Sequence, residues 1–205
     1  MDKAYMLILG YRLDHSVDLT SVAKTVTQVK EDLLMLRSYA SLSPEAHLVV
    51  WTSALDTRPL VELRDRIRRG HSSMVESLVW LSVYKASPYV SSTIDVLGNL
   101  KQEPLRYLVA YPMKKDPEWY LIPFEERRSI MAEHIGIARS HRYSKNVRSY
   151  TTYAFGIASY EFLVVYEVQS LYEWVEVVER LREAKARKWV VMEEPVLVGE
   201  LIAGW

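Results

Sequence analysis

Residues 111–141, YPMKKDPEWYLIPFEERRSIMAEHIGIARSH, decide how the rest of the chain is read. They begin at the end of an apolar run, residues 107–113, with the length of a buried strand. A short polar link carrying Pro117 leads to the aromatic pair Trp119 and Tyr120. Pro123 marks a helix start, because proline suits the first helical position and Glu125 and Glu126 complement the positive end of the helix dipole. Arg127, Ile130, Met131, His134, Ile137, Ala138 and His141 then recur at three- and four-residue steps, on one helical face. His134 lies mid-helix on an apolar stripe, where an unpaired buried nitrogen costs about 1–3 kcal/mol. A backbone carbonyl or a metal can each supply the partner.

Upstream, residues 4–11 form an apolar run of strand length. Leu19, Val22, Val26, Val29, Leu33, Leu34 and Leu36 trace a long amphipathic helix up to Arg37, and residues 41–43 begin a short strand. Residues 47–52 are a second apolar run, followed by a helix through Leu60, Leu63 and Ile67 that stops at Gly70. Residues 71–89 fit either helix or strand. Loop residues gather between 98 and 104, which divides the chain into halves 1–100 and 101–205.

The second half repeats the first. Residues 107–111 answer 5–9 as an opening strand, and residues 163–166, ahead of a helix at 171–182, answer 48–51. Residues 148–155 alternate as a strand, and 196–202 close the chain as another. Each half has the strand–helix–strand–strand–helix–strand order of a ferredoxin-like unit. The expected fold class is therefore α+β. Two such units can join their sheets edge to edge into a barrel within one chain, which removes exposed edges.

Lys plus Arg equals Asp plus Glu at 26 each, so no overall field draws nucleic acid or an anionic membrane. No apolar run approaches 18 residues and no signal-peptide pattern is present, so the chain reads as soluble and cytoplasmic. Without cysteine, disulfides, thiolate chemistry and iron–sulfur ligation are excluded. Any metal chemistry rests on the five histidines, carboxylates, tyrosines and methionines.

Tyr111-Pro112-Met113 with Lys115, then Trp119-Tyr120, Ile122-Pro123, Glu126-Arg127 and Met131 with His134, in that order, resemble the chlorite dismutase superfamily of haem proteins, which includes the coproheme decarboxylases. The resemblance implies the same barrel, with the haem site in the half 101–205 and either haem b or iron coproporphyrin as cofactor. It implies His134 as the iron ligand, its second nitrogen held by a carboxylate after the last helix, for which Glu183 is the nearest candidate. Tyr111 matches a redox-active tyrosine beside a propionate, and Lys115 a lysine that pairs with one. Met113, Trp119 and Tyr120 fall where the porphyrin is bound. The distal position matches Ser149, with Arg148 just before it; on a strand they face opposite ways, so only one can reach the iron.

Three readings stay open on this basis. One is an oxidoreductase that decarboxylates porphyrin propionates with peroxide. Another is a chlorite dismutase or peroxidase-like haem b enzyme, which needs Arg148 to be distal. The last is a haem carrier or sensor, or a barrel without haem. The resemblance also implies a homo-oligomer, a pentamer, for which Trp174, Val177, Val178, Trp189 and Trp205 would supply apolar surface near the last helix.

Overall fold

The computed structural model describes residues 3–27, 32–90 and 95–202. In the first half β1 (Lys3–Leu13), β2 (Met35–Ser41), β3 (Leu48–Ala54) and β4 (Met74–Lys85) carry α1 (Leu19–Thr27) and α2 (Arg58–Gly70). The short α3 (Val96–Leu100) leads into β5 (Tyr107–Lys115), α4 (Glu118–Leu121) and α5 (Phe124–Ser140). There follow β6 (Val147–Tyr153), β7 (Phe162–Val168), α6 (Leu171–Leu181), β8 (Val190–Met192) and β9 (Leu197–Leu201).

Each half has the ferredoxin-like strand order, β4-β1-β3-β2 in the first and β9-β5-β7-β6 in the second. The halves meet at two seams, β4 on β6 at Val83 and Tyr153, and β2 on β9 around Tyr39 and Leu201. With β5 also paired to β7, eight antiparallel strands close on themselves and β8 hangs from the end of β5. Closure leaves those strands without a free edge. Gly199 allows one seam to form, since a Cβ there would lie 2.7 Å from the Cβ of Tyr39.

The alternation of side chains divides the apolar mass into an inner and an outer layer. Met6, Ile8, Tyr39, Trp51, Leu108, Ala110, Tyr150, Leu163 and Val165, from both halves, fill the barrel. Outside the first half, Val22, Val26, Leu60, Leu63 and Ile67 pack against Leu7, Leu9 and Val50. All seven residues of β3, LVVWTSA, are buried because each face meets one of these layers. Among the described residues no helix is long and apolar enough to cross a membrane.

Two expectations about the first half change. The helix expected up to Arg37 is α1, which ends at Thr27; Met35, Leu36 and Arg37 belong to β2, and Val29 lies outside the described residues. The leucines at 33, 34 and 36 suit either period, and what decides is Arg37, buried and ion-paired to Glu167 of β7. Residues 71–89, open between helix and strand, contain β4. Two of the aromatics expected to supply surface near the last helix pack onto other rings instead. Trp174 is buried against Tyr166 with ring centroids 4.3 Å apart, Trp189 packs on Trp119 at 5.3 Å, and Trp205 lies outside the described residues.

Candidate functional site

In the second half the helices leave a cavity of about 520 Å³ against the outer face of the barrel, a size suited to a small-molecule or cofactor ligand. Its floor is the outward set of strand residues, Tyr111 and Met113 of β5, Ser149 and Thr151 of β6, Val164 and Tyr166 of β7. Met131, His134, Ile135 and Ala138 of α5 form one wall, and Trp174, Val177, Val178 and Leu181 of α6 another.

His134 is set by the helical repeat that Pro123 initiates, with Pro123 just before the first residue of α5 and Glu125 and Glu126 in its first turn. Its Nδ1 is buried and has no hydrogen-bond partner among the described residues. Burial, and then the positive charges of Lys115 and Arg187, depress the imidazole below its ordinary value against a pull from Glu133. The ring is therefore neutral at pH 7 and keeps a lone pair for a ligand. No group of three or more His, Cys, Asp or Glu that could hold a metal ion occurs among the described residues. A single imidazole suits a metal that brings its other ligands with it, as a porphyrin does.

Lys115 is buried on the same wall, its Nζ donating to the Ala186 carbonyl at 3.1 Å and lying 4.6 Å from the centre of the Trp119 ring. Burial, then the neighbouring Arg187, lower its ammonium to about 8, with Glu193 opposing. Tyr111 and Tyr166 lie with ring centroids 6.3 Å apart, and Ser149 is the direct cross-strand neighbour of Tyr166. Burial raises both phenols, so both stay protonated. At one end of the cavity Arg187 and Arg182 grip Glu193 at 2.5 and 3.0 Å.

His134, Tyr111, Met113, Lys115, Trp119 and Ser149 thus share one cavity, and three sequence candidates do not. Tyr120 points away from it, its ring 5.8 Å from Phe155 and its buried hydroxyl without a partner. Glu183 is exposed and paired with Arg180, so it is not the acceptor for His134. The chain turns just after α6, which leaves Glu183 on the solvent side. Arg148 faces into the barrel, where it donates to Glu167 at 2.8 Å and to the Glu103 carbonyl at 3.0 Å. His141 accepts from the Tyr143 backbone at 3.3 Å at the end of α5 and is outside the cavity wall.

Sequence reasoning missed Tyr166, Arg182, Arg187 and Glu193. Alternation along β7 places Tyr166 on the face of Val164, so the strand pattern contained that signal. The other three come from separate turns after α6, and no spacing rule joins them.

A family model described as chlorite dismutase matches residues 16–202. A coproheme decarboxylase of Mycolicibacterium smegmatis is 30% identical over 192 residues, covering 91% of this chain and 82% of that protein. The crystal structure of a putative chlorite dismutase aligns with a TM-score of 0.89 at 35% identity, over 98% of this chain and 95% of the other. For the fold alone, a haem-binding protein of Thermus thermophilus aligns with a TM-score of 0.83 at 19% identity, over 98% and 92% of the two chains. With a barrel of two ferredoxin-like units and a match that spans nearly its whole length, the chain belongs to the chlorite dismutase family.

Proposed function

We propose that the chain binds an iron porphyrin in this cavity, where His134 would hold the iron, and oxidatively decarboxylates its propionates as a coproheme decarboxylase does. The observation that carries this reading is the charge around a neutral, unpartnered histidine. Among the described residues Lys85, Lys115, Arg139, Arg182 and Arg187 line the cavity against the single acid Glu193, a formal excess of four positive charges. Such a wall suits iron coproporphyrin, a tetracarboxylate, better than haem b, a dicarboxylate. The coproheme decarboxylase that is 30% identical supports the same choice.

In the net reaction each propionate lost as carbon dioxide gives up two electrons and becomes a vinyl group, while hydrogen peroxide takes them and becomes water. His134 would hold the iron, which when bound would supply the redox exchange with peroxide. Tyr111 is placed to pass on an electron together with its proton, because burial keeps the phenol protonated and Tyr166 and Ser149, on the same cavity floor, offer hydroxyls to accept and return that proton. Lys115 and the arginines hold carboxylates, and the apolar residues of α5 and α6 keep water from the reacting carbons. The chlorite-dismutating alternative needs an arginine from β6 in the cavity, and β6 presents Ser149 there while Arg148 serves the barrel interior. A homo-oligomer, a pentamer, and a cytoplasmic location belong to the same reading; Tyr172 and Val175, exposed on α6, offer apolar surface for subunit contact.

Purified protein loaded with iron coproporphyrin and given peroxide should yield porphyrins lighter by one and by two carboxyl groups, read by mass spectrometry. Tyr111→Phe should bind the same porphyrin and stall before the first loss, with stability changed by no more than about 0.5–1.5 kcal/mol. His134→Ala should keep its circular dichroism and lose the spectrum of a histidine-ligated iron. Intact coproporphyrin after peroxide treatment of the wild type would overturn the reading.

A further inference from the structure

A second cavity, of about 540 Å³, lies beyond one end of the first, between β5, α6 and the segment around β8. Tyr111, Arg182, Arg187 and Glu193 line both. With Trp174, Val178 and Val190, which also line both, the ion-paired trio forms part of the partition between the two spaces. Glu193 is the only acid on the wall of the first cavity among the described residues, and both of its carboxylate oxygens are engaged, one by each guanidinium.

An arginine pair bonded to a carboxylate at a ligand wall presents the geometry that another carboxylate would use. Arg182 is half exposed and Arg187 about a quarter, so neither guanidinium is locked in the core. The second cavity gives a displaced Glu193 side chain a space to turn into. We infer that Arg182 and Arg187 form a carboxylate subsite that Glu193 occupies in the free protein, and that a propionate of the porphyrin takes its place on binding. This rests on the porphyrin reading of the cavity and deepens it. The ligand must compete with an internal carboxylate, and its apparent affinity is lowered by the fraction of molecules in which Glu193 holds the arginines. In return, the arginines stay oriented and partly neutralised until a ligand arrives.

Fluorescence titration with metal-free coproporphyrin tests the subsite independently of iron, His134 and catalysis. Glu193→Gln should bind it roughly tenfold more tightly than the wild type, because the competitor is gone. Arg187→Gln and Arg182→Gln should each bind roughly tenfold more weakly, each losing one charge-assisted contact. Glu194→Gln removes the same charge from the second cavity without touching either arginine, and should leave affinity unchanged. The tetramethyl ester of coproporphyrin should bind all variants alike. Equal tightening in Glu193→Gln and Glu194→Gln, equal tightening for the ester, or no tightening in Glu193→Gln would each overturn the subsite. A wild type that binds no coproporphyrin at all would defeat the porphyrin reading together with it. Thermal melts by circular dichroism accompany the titrations, and Arg182→Gln, at an exposed position, keeps the test decisive if another variant folds poorly.

Discussion

Lys115 is the residue in the cavity whose charge changes within reach of ordinary buffers. Its folded value, about 8, lies below the ordinary lysine value of 10.5, so the fold penalises the ammonium below about pH 8. That penalty fades as the pH rises through the folded value towards the unfolded one. A ligand carboxylate beside it would favour the charged form and draw the value back up. Binding of coproporphyrin near pH 8 should then take up roughly half a proton, visible by calorimetry in buffers of differing ionisation enthalpy. Lys115→Met should abolish the uptake. Binding without proton uptake in the wild type would remove Lys115 from the carboxylate contacts. His134 and Lys115 were legible as candidates from the stretch 111–141 alone. Their shifted ionisation was not, because it arises first from burial under distant segments and then from Arg187, with Lys115 adding to the effect on His134.

At the scale of the element, β6 decides which residue meets the ligand. Its alternation sends Ser149 and Thr151 to the cavity, and Arg148, Tyr150 and Thr152 to the barrel interior. Glu167 fixes that choice, since it is fully buried and accepts from Arg148, from Tyr150 at 2.9 Å and from Arg37. A register slip of one residue would expel the arginine from this network and leave a buried carboxylate short of a partner. Arg148→Met should therefore destabilise the protein by about 1–3 kcal/mol and leave the absorption spectrum of the bound porphyrin unchanged. Ser149→Val should do the reverse, altering the spectrum with little effect on the melting temperature. A spectrum altered by Arg148→Met alone would place the arginine in the cavity after all. From sequence the distal position matched Ser149, with Arg148 one residue away, because strand alternation says that the two differ and not which way the strand faces.

On the scale of the molecule, the two halves form one closed barrel with a common interior. Core residues of both, such as Trp51 and Tyr150 at 5.1 Å between ring centroids, pack edge to face, and Arg37 of the first half meets Glu167 of the second. The outer layers differ: apolar side chains fill the space under α1 and α2, whereas α5 and α6 stand over the ligand cavity. Assembly is the remaining property at this scale. Sedimentation velocity at micromolar concentration should give a species several times the 23.9 kDa of one chain, five times for a pentamer. Tyr172→Glu together with Val175→Glu, on the outward side of α6, should shift it towards the monomer. A wild type that sediments as a 23.9 kDa monomer would refute the oligomer.

The sequence by itself determined β5, α5, β6, β7, α6 and β9 of the second half, though not the short α4 and β8, together with the repeat that relates it to the first and the histidine on α5. These are carried by local period, proline placement and strand composition, which act over a few residues. Tertiary structure alone decided that residues 35–37 extend β2, that Trp174 and Trp189 turn inward, that Arg148 serves the barrel and Ser149 the cavity, and that Glu193 stands between Arg182 and Arg187. Each of these depends on a partner far along the chain, and a charged or aromatic side chain takes its place from the partner that satisfies it rather than from its neighbours in sequence.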